Sequence, residues 1–103
     1  MLIRVTEAGR PGFQLRKGEE GLSIFDIQAV DPALTETEVM EAFRPESHPV
    51  LRSREEIEEK GRIIVPISGS SSLPPRLRDA HAEIRRGPSL TRSQFKKALQ
   101  ELE

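Results

Sequence analysis

Cysteine is absent from the chain. That excludes disulfides, cysteine-ligated zinc, iron–sulfur clusters and a cysteine nucleophile. It fits a cytoplasmic protein without requiring one. Tryptophan and tyrosine are missing too, and the four phenylalanines are too few for a row of stacking platforms under single-stranded nucleic acid. Neither sign of charge is in excess: 16 Lys and Arg face 17 Asp and Glu, a net charge of −1. A general electrostatic grip on nucleic acid or on an anionic membrane is therefore not expected. No apolar run approaches the ~20 residues of a bilayer span. The start, Met1-Leu2-Ile3-Arg4-Val5, lacks the charged opening and longer apolar stretch of a signal peptide, so export by another route is expected if the protein leaves its cell. The only histidines, His48 and His81, stand far apart, and no metal site is expected.

The 103 residues suggest one domain over residues 1–103. Apolar residues make up only 35%, so a small core of Leu, Ile, Val and Phe is expected. The chain reads as α+β, with interspersed short strands and helices and connections too irregular for a run of βαβ units. Leu2–Thr6 and Leu22–Ile27 read as strands. Phe13 and Leu15 bracket Gln14 like a second short strand, and Val50-Leu51 like a brief extended piece. Thr35 or Thr37 would cap a helix through Phe43, and Thr35 with Glu38 fits a capping box. Ser53 with Glu56 makes a second box, for a helix running to Lys60, largely at the surface, and stopped by Gly61. Ile63–Ile67 is a strand, and Pro66 places it at an edge or a strand end. Ser68-Gly69-Ser70-Ser71-Ser72 is a small-residue loop. Arg76–Asp79 forms a helical turn after Pro74-Pro75. His81–Arg85 alternates, with Ala82 and Ile84 on one face and His81, Glu83 and Arg85 on the other. Thr91 and Gln94 form a third box, leading a helix with Phe95, Ala98, Leu99 and Leu102 on one face.

The phosphate-binding loop, the dinucleotide fingerprint, HExxH and G-x-S-x-G are all absent. Polar residues set in apolar strands are the remaining candidates. Arg4 is either a solvent-facing alternation or a fixed guanidinium for a bidentate phosphate or ribose contact. Ser23 either bonds the main chain or orients a ligand at the base of a cleft. His81 is a strand-end residue or a proton-transfer group. Glu83 shares its face with His81, as a surface carboxylate or as one that stabilises a developing cation. Arg76, Arg78, Arg85, Arg86 and Arg92 gather in the last third of the sequence, but the interleaved acids and missing Tyr and Trp argue against nucleic acid as their target.

Taken in order, Leu2-Ile3-Arg4-Val5, Gly21-Leu22-Ser23-Ile24-Phe25-Asp26, Ile64-Val65-Pro66-Ile67-Ser68-Gly69, Leu73-Pro74-Pro75, His81-Ala82-Glu83-Ile84, Leu90-Thr91 and the Phe95–Leu102 helix resemble the Tse-two type of type VI secretion effector toxin, an ADP-ribosyltransferase-like family. The resemblance leaves out roughly residues 28–62. It implies a compact fold with NAD bound, as substrate, in a cleft between two small antiparallel sheets. It also implies a toxin acting in the cytoplasm and an immunity protein that neutralises it. Arg4 would match the first-strand arginine that contacts NAD phosphate or ribose. Ser23 would match the serine that supports the nicotinamide-ribose pocket, Phe25 would pack beneath it, and His81 would match the late histidine. The family carries Thr where this chain has Leu22, so one hydroxyl is missing, and its members are usually longer. Glu83 is matched by no family motif and remains a candidate from local geometry.

The leading expectation is an NAD-dependent mono-ADP-ribosyltransferase-like toxin, a glycosyltransferase. Arg4 would hold the diphosphate, Ser23 and His81 would orient the ribose, and a carboxylate would favour the charged transition state over the ground state. The competing expectation is a non-enzymatic protein-interaction module or a degenerate transferase domain.

Overall fold

The computed structural model describes residues 1–103. Strand β1 (Leu2–Glu7) is followed by β2 (Gly21–Asp26), helix α1 (Glu36–Met40) and strand β3 (Ser47–Arg52). Helix α2 (Arg54–Glu58) leads through a 3-10 turn at Glu59–Gly61 into β4 (Arg62–Pro66). Helix α3 (Pro75–Ala80) runs directly into β5 (His81–Arg86), and α4 (Arg92–Gln100) closes the chain. The strands form one antiparallel sheet in the order β3-β1-β2-β5-β4, with helices on both faces. The fold class is α+β as expected, but the strands belong to one five-stranded sheet rather than two small ones.

Period-two alternation divides the core between the two faces. Leu2, Leu22, Ile24, Ala82 and Ile84 point to one side, where Phe13, Leu15, Ile57, Phe95, Leu99 and Leu102 cover them. Ile3 and Phe25 point to the other, against Leu34, Val39, Leu77 and Ala80. The first face is closed by α4 and by the single apolar residue of α2, Ile57, which is only 1% exposed. Both helices begin with the expected boxes, Ser53 with Glu56 and Thr91 with Gln94. Arg62, 3% exposed, joins their far ends. Its Nε donates to the carbonyl of Ile57 and its two terminal nitrogens to those of Glu56 and Ala98, at 2.6–2.8 Å. These carbonyls lie in last turns, where intrahelical donors run out.

Four expectations need correction. Phe13 and Leu15 do not form a strand. They enter the core from a loop whose Gly12 and Phe13 amides donate to the Glu103 carboxylate. Thr35 does cap α1, but the helix stops at Met40 and only half the box forms, because the Glu38 carboxylate turns to Arg76 at 2.7 Å. Helix α2 ends at Glu58 rather than Lys60. Lys60 and Gly61 both take positive φ, of 58° and 85°, and turn the chain into β4. The extended piece at Val50 is a six-residue edge strand, paired with β1 along its whole length and able to hold Pro49 at the edge.

The pairing of β1 with β2 is much shorter. Leu2 faces Asp26 and Ile3 faces Phe25, and there the ladder ends, although β1 continues to Glu7. The sheet therefore parts at its centre, beside the cleft described next. No helix is long and apolar enough to cross a membrane.

A candidate active-site cleft

Neighbouring strands β2 and β5 set the floor of the site. Their register puts Ser23 opposite Glu83 and Phe25 opposite His81. In antiparallel strands, such directly opposed residues lie on the same face. Four side chains from distant parts of the sequence thus form a two-by-two patch. Arg4 completes the set from β1. All five residues line one cleft of about 510 Å³, together with Val5, Phe43, Leu73 and the Ile67–Ser70 segment, a volume within the ~300–1,000 Å³ range of small-molecule pockets.

Arg4 belongs by alternation to the same side of β1 as Leu2, yet its guanidinium reaches the cleft. The parting of β1 from β2 leaves the Ser23 carbonyl without a β1 partner, and Arg4 supplies the missing donor at 2.9 Å. Its Nε donates to the Gly12 carbonyl at 2.8 Å. Its third nitrogen has no protein partner, and Arg78 Nε is the only buried side-chain polar atom so placed, so the free Arg4 nitrogen is open to solvent. Burial lowers the Arg4 pKa, Glu19 opposes this, and Arg16 adds to it. An arginine stays charged through such a shift.

His81 is held on both sides. Its ring stands edge-on to Phe25 at 5.6 Å between centroids, and Phe25 stands edge-on to Phe43 at 5.8 Å. Its Nδ1 lies 2.6 Å from the Ile67 carbonyl. A carbonyl only accepts, so Nδ1 carries the hydrogen and Nε2 is the basic nitrogen of the neutral ring. Gly69 allows this fit, since a Cβ there would lie 3.2 Å from His81 Cβ and 2.9 Å from Leu73 Cδ1.

Ser23 is exposed, and its hydroxyl is free. Phe25 is 3% exposed and acts as a floor. Glu83 is partly buried and engaged: Arg85, two residues along the same face, donates to its Oε1 from two nitrogens at 2.9 Å. The other carboxylate oxygen remains free.

Leu22 is 1% exposed and packs in the opposite core. A hydroxyl at that position would face away from the cleft. The five arginines of the last third are dispersed. Arg76 bonds Glu38 and the Pro32 carbonyl. Arg85 bonds Glu83, Arg86 bonds the Leu90 carbonyl, and Arg92 bonds the carbonyls of Glu19 and Arg16. These four serve internal contacts, whereas the fifth, Arg78 on α3, makes no side-chain hydrogen bond and has its Nε buried without a partner.

Sequence reasoning missed Phe43 and the 67–73 segment as cleft walls. The signal available for the latter was the small-residue tract between a Pro-ended strand and Leu73-Pro74-Pro75, which lets main chain approach a ring closely. Compared with known family models, curated proteins and solved structures, the chain matches none of them.

Proposed function

We propose that the chain is an ADP-ribosyltransferase-like toxin that takes NAD as substrate in this cleft and acts in the cytoplasm. The observation that supports this most is the meeting of Arg4, Ser23, Phe25, His81 and Glu83 around one hollow, since these residues were singled out from separate segments. The residues present suit such a ligand. An aromatic floor of Phe25, Phe43 and His81 offers a planar ring apolar contact. The free nitrogen of Arg4 offers a phosphate a charge-assisted bond.

The chemistry is cleavage of the bond between the ribose and nicotinamide, which leaves with the bonding electrons, while the ADP-ribosyl group passes to an acceptor nucleophile. Positive charge develops on the ribose as the bond lengthens, and the free oxygen of Glu83 would stabilise it. The Ser23 hydroxyl would bond the ribose and hold it above Phe25. His81 Nε2 would take the proton of the acceptor as the new bond forms. Arg4, already fixed by two carbonyls, would hold the diphosphate in the orientation required for departure. An immunity protein that covers the cleft is the partner this reading implies.

The ion pair with Arg85 favours a second reading, a degenerate transferase or a non-enzymatic interaction module. A carboxylate paired at 2.9 Å has less charge to offer a ribose cation. Titration of labelled protein with millimolar NAD addresses both readings. Shifts at Arg4, Ser23 and His81 that vanish in Arg4→Ala support NAD binding, and no shift at these residues rejects it. Expression then separates enzyme from module. Growth arrest relieved by Glu83→Gln, with NAD binding retained, marks catalysis. A harmless wild-type protein that still binds NAD marks the module.

A further inference from the structure

On the loop side of Arg4 lies a second hollow, of about 380 Å³, lined by Arg4, Arg10, Pro11, Gln14, Arg16 and Glu19. It shares only Arg4 with the cleft. We propose that this hollow is a seat for a phosphoryl dianion, either inorganic phosphate or a phosphate monoester carried by a larger ligand, with Arg10 and Arg16 as its donors and the Arg4 charge at its edge.

The argument begins with charge. Three guanidinium groups meet one carboxylate in a lining whose only apolar side chain is Pro11. Glu19 Oε1 accepts from the Arg16 amide at 2.7 Å, which fixes the carboxylate beside the hollow, where its charge favours the Arg4 cation and offsets one of the three guanidiniums. Arg4 is held by carbonyls and has no ion pair. The Arg16 guanidinium has no partner in the protein, and Arg10 has only an exposed, 3.6 Å approach to Glu7. Three positive charges therefore line the hollow against one negative charge, an excess that the protein does not balance within it. The excess matches a phosphate monoester, which carries about −1.5 to −2 near neutral pH, and the planar forks suit its oxygens.

The hollow is also fixed in place. Arg92, on α4, donates to the carbonyls of Arg16 and Glu19 and anchors that turn. The Glu103 carboxylate anchors the Gly12–Phe13 amides, and the Gly12 carbonyl in turn holds Arg4. Neither the Arg10 nor the Arg16 side chain bonds main chain, so both can be removed without disturbing these anchors. The inference stands apart from the NAD reading, because NAD carries no phosphate monoester.

The test follows the arginine Nε–Hε resonances of the intact protein during titration with inorganic phosphate, at pH 7 and constant ionic strength set with chloride. Saturable shifts at Arg4, Arg10 and Arg16 are expected. Arg10→Ala and Arg16→Ala should each weaken binding by about tenfold, the worth of one charge-assisted bond, at unchanged melting temperature, whereas loss of the exposed charge in Lys96→Ala should leave binding intact. Parallel titrations with NAD and NADP identify the source of the anion. Tighter binding of NADP, with the difference erased in the Arg10 and Arg16 variants, assigns the seat to a monoester on the ligand of the cleft. Phosphate binding without any preference for NADP assigns it to a free anion. No saturable phosphate shift, phosphate binding that both arginine variants retain, or tighter binding of a single-stranded oligonucleotide than of phosphate, overturns the proposal. A failure of NAD alone overturns only the reading of the cleft.

Discussion

The two faces of the sheet use the same residue types to opposite ends. On the closed face, Phe95, Leu99, Leu102 and Ile57 seal the strands, and Arg62 gives every nitrogen to a carbonyl. On the other, α1 and α3 cover Ile3 and one side of Phe25 but leave Ser23, His81 and Glu83 lining a hollow. Arg4 bonds two carbonyls in the manner of Arg62 and keeps one nitrogen free. A buried guanidinium is therefore not by itself a sign of function. What distinguishes the two is whether the protein alone completes the hydrogen bonding.

The strongest way to break this comparison is to remove both arginines in turn. Arg62→Met strands three helix-end carbonyls and should lower stability to urea by ~3 kcal/mol or more. Arg4→Met should lower it by ~1–2 kcal/mol, while abolishing ligand shifts in the cleft. Equal losses would show that Arg4 is as purely structural as Arg62. Next come the apolar residues. Leu99→Ala, in the sealed core, should cost ~2–5 kcal/mol. Leu73, half-buried at the cleft wall, should cost less than half as much on conversion to Ala, because the cavity it leaves opens to water.

A smaller and more local effect is expected from Gly69→Ala. The added methyl must displace Leu73 or His81, so the ring resonances of His81 should move and ligand affinity fall, with stability lowered by ~1 kcal/mol at most. Unchanged His81 resonances would show that the segment yields and does not position the ring. The smallest effect concerns pH. The Arg76 hydrogen bond holds the Glu38 carboxyl below its ordinary range, the Ser53 amide and hydroxyl do so for Glu56, and Lys60 does so for Glu101. Depressed native values stabilise the fold above the ordinary carboxylate range, and that contribution is lost as pH falls through them. Acid titration of Glu38→Gln should show a shallower fall in melting temperature than wild type.

Much of the fold was legible because local chemistry decided it. Thr91 with Gln94 and Ser53 with Glu56 fixed helix starts, and alternation in β5 assigned His81 and Glu83 to one face and Ala82 and Ile84 to the other. The failures arose where a distant partner intervened. Glu38 left its capping box for Arg76, and Glu103 took the amides that a strand at Phe13 would have paired. The cleft itself depends on register, with Ser23 opposite Glu83 and Phe25 opposite His81, and a lone sequence carries little information about which strands become neighbours. The hollow around Arg10 and Arg16 was invisible for the same reason, since the loop holding it is shaped by Arg92 and Glu103.

The break in the ladder after Ile3 and Phe25 has a kinetic corollary. Amides of β1 beyond Ile3 are protected on the β3 side alone, and Arg4 is the main brace across the gap. A molecule gripping that brace would slow local opening there first. Hydrogen exchange should register its arrival as added protection along the inner flank of β1, well before any change in the rate at which the sealed face opens.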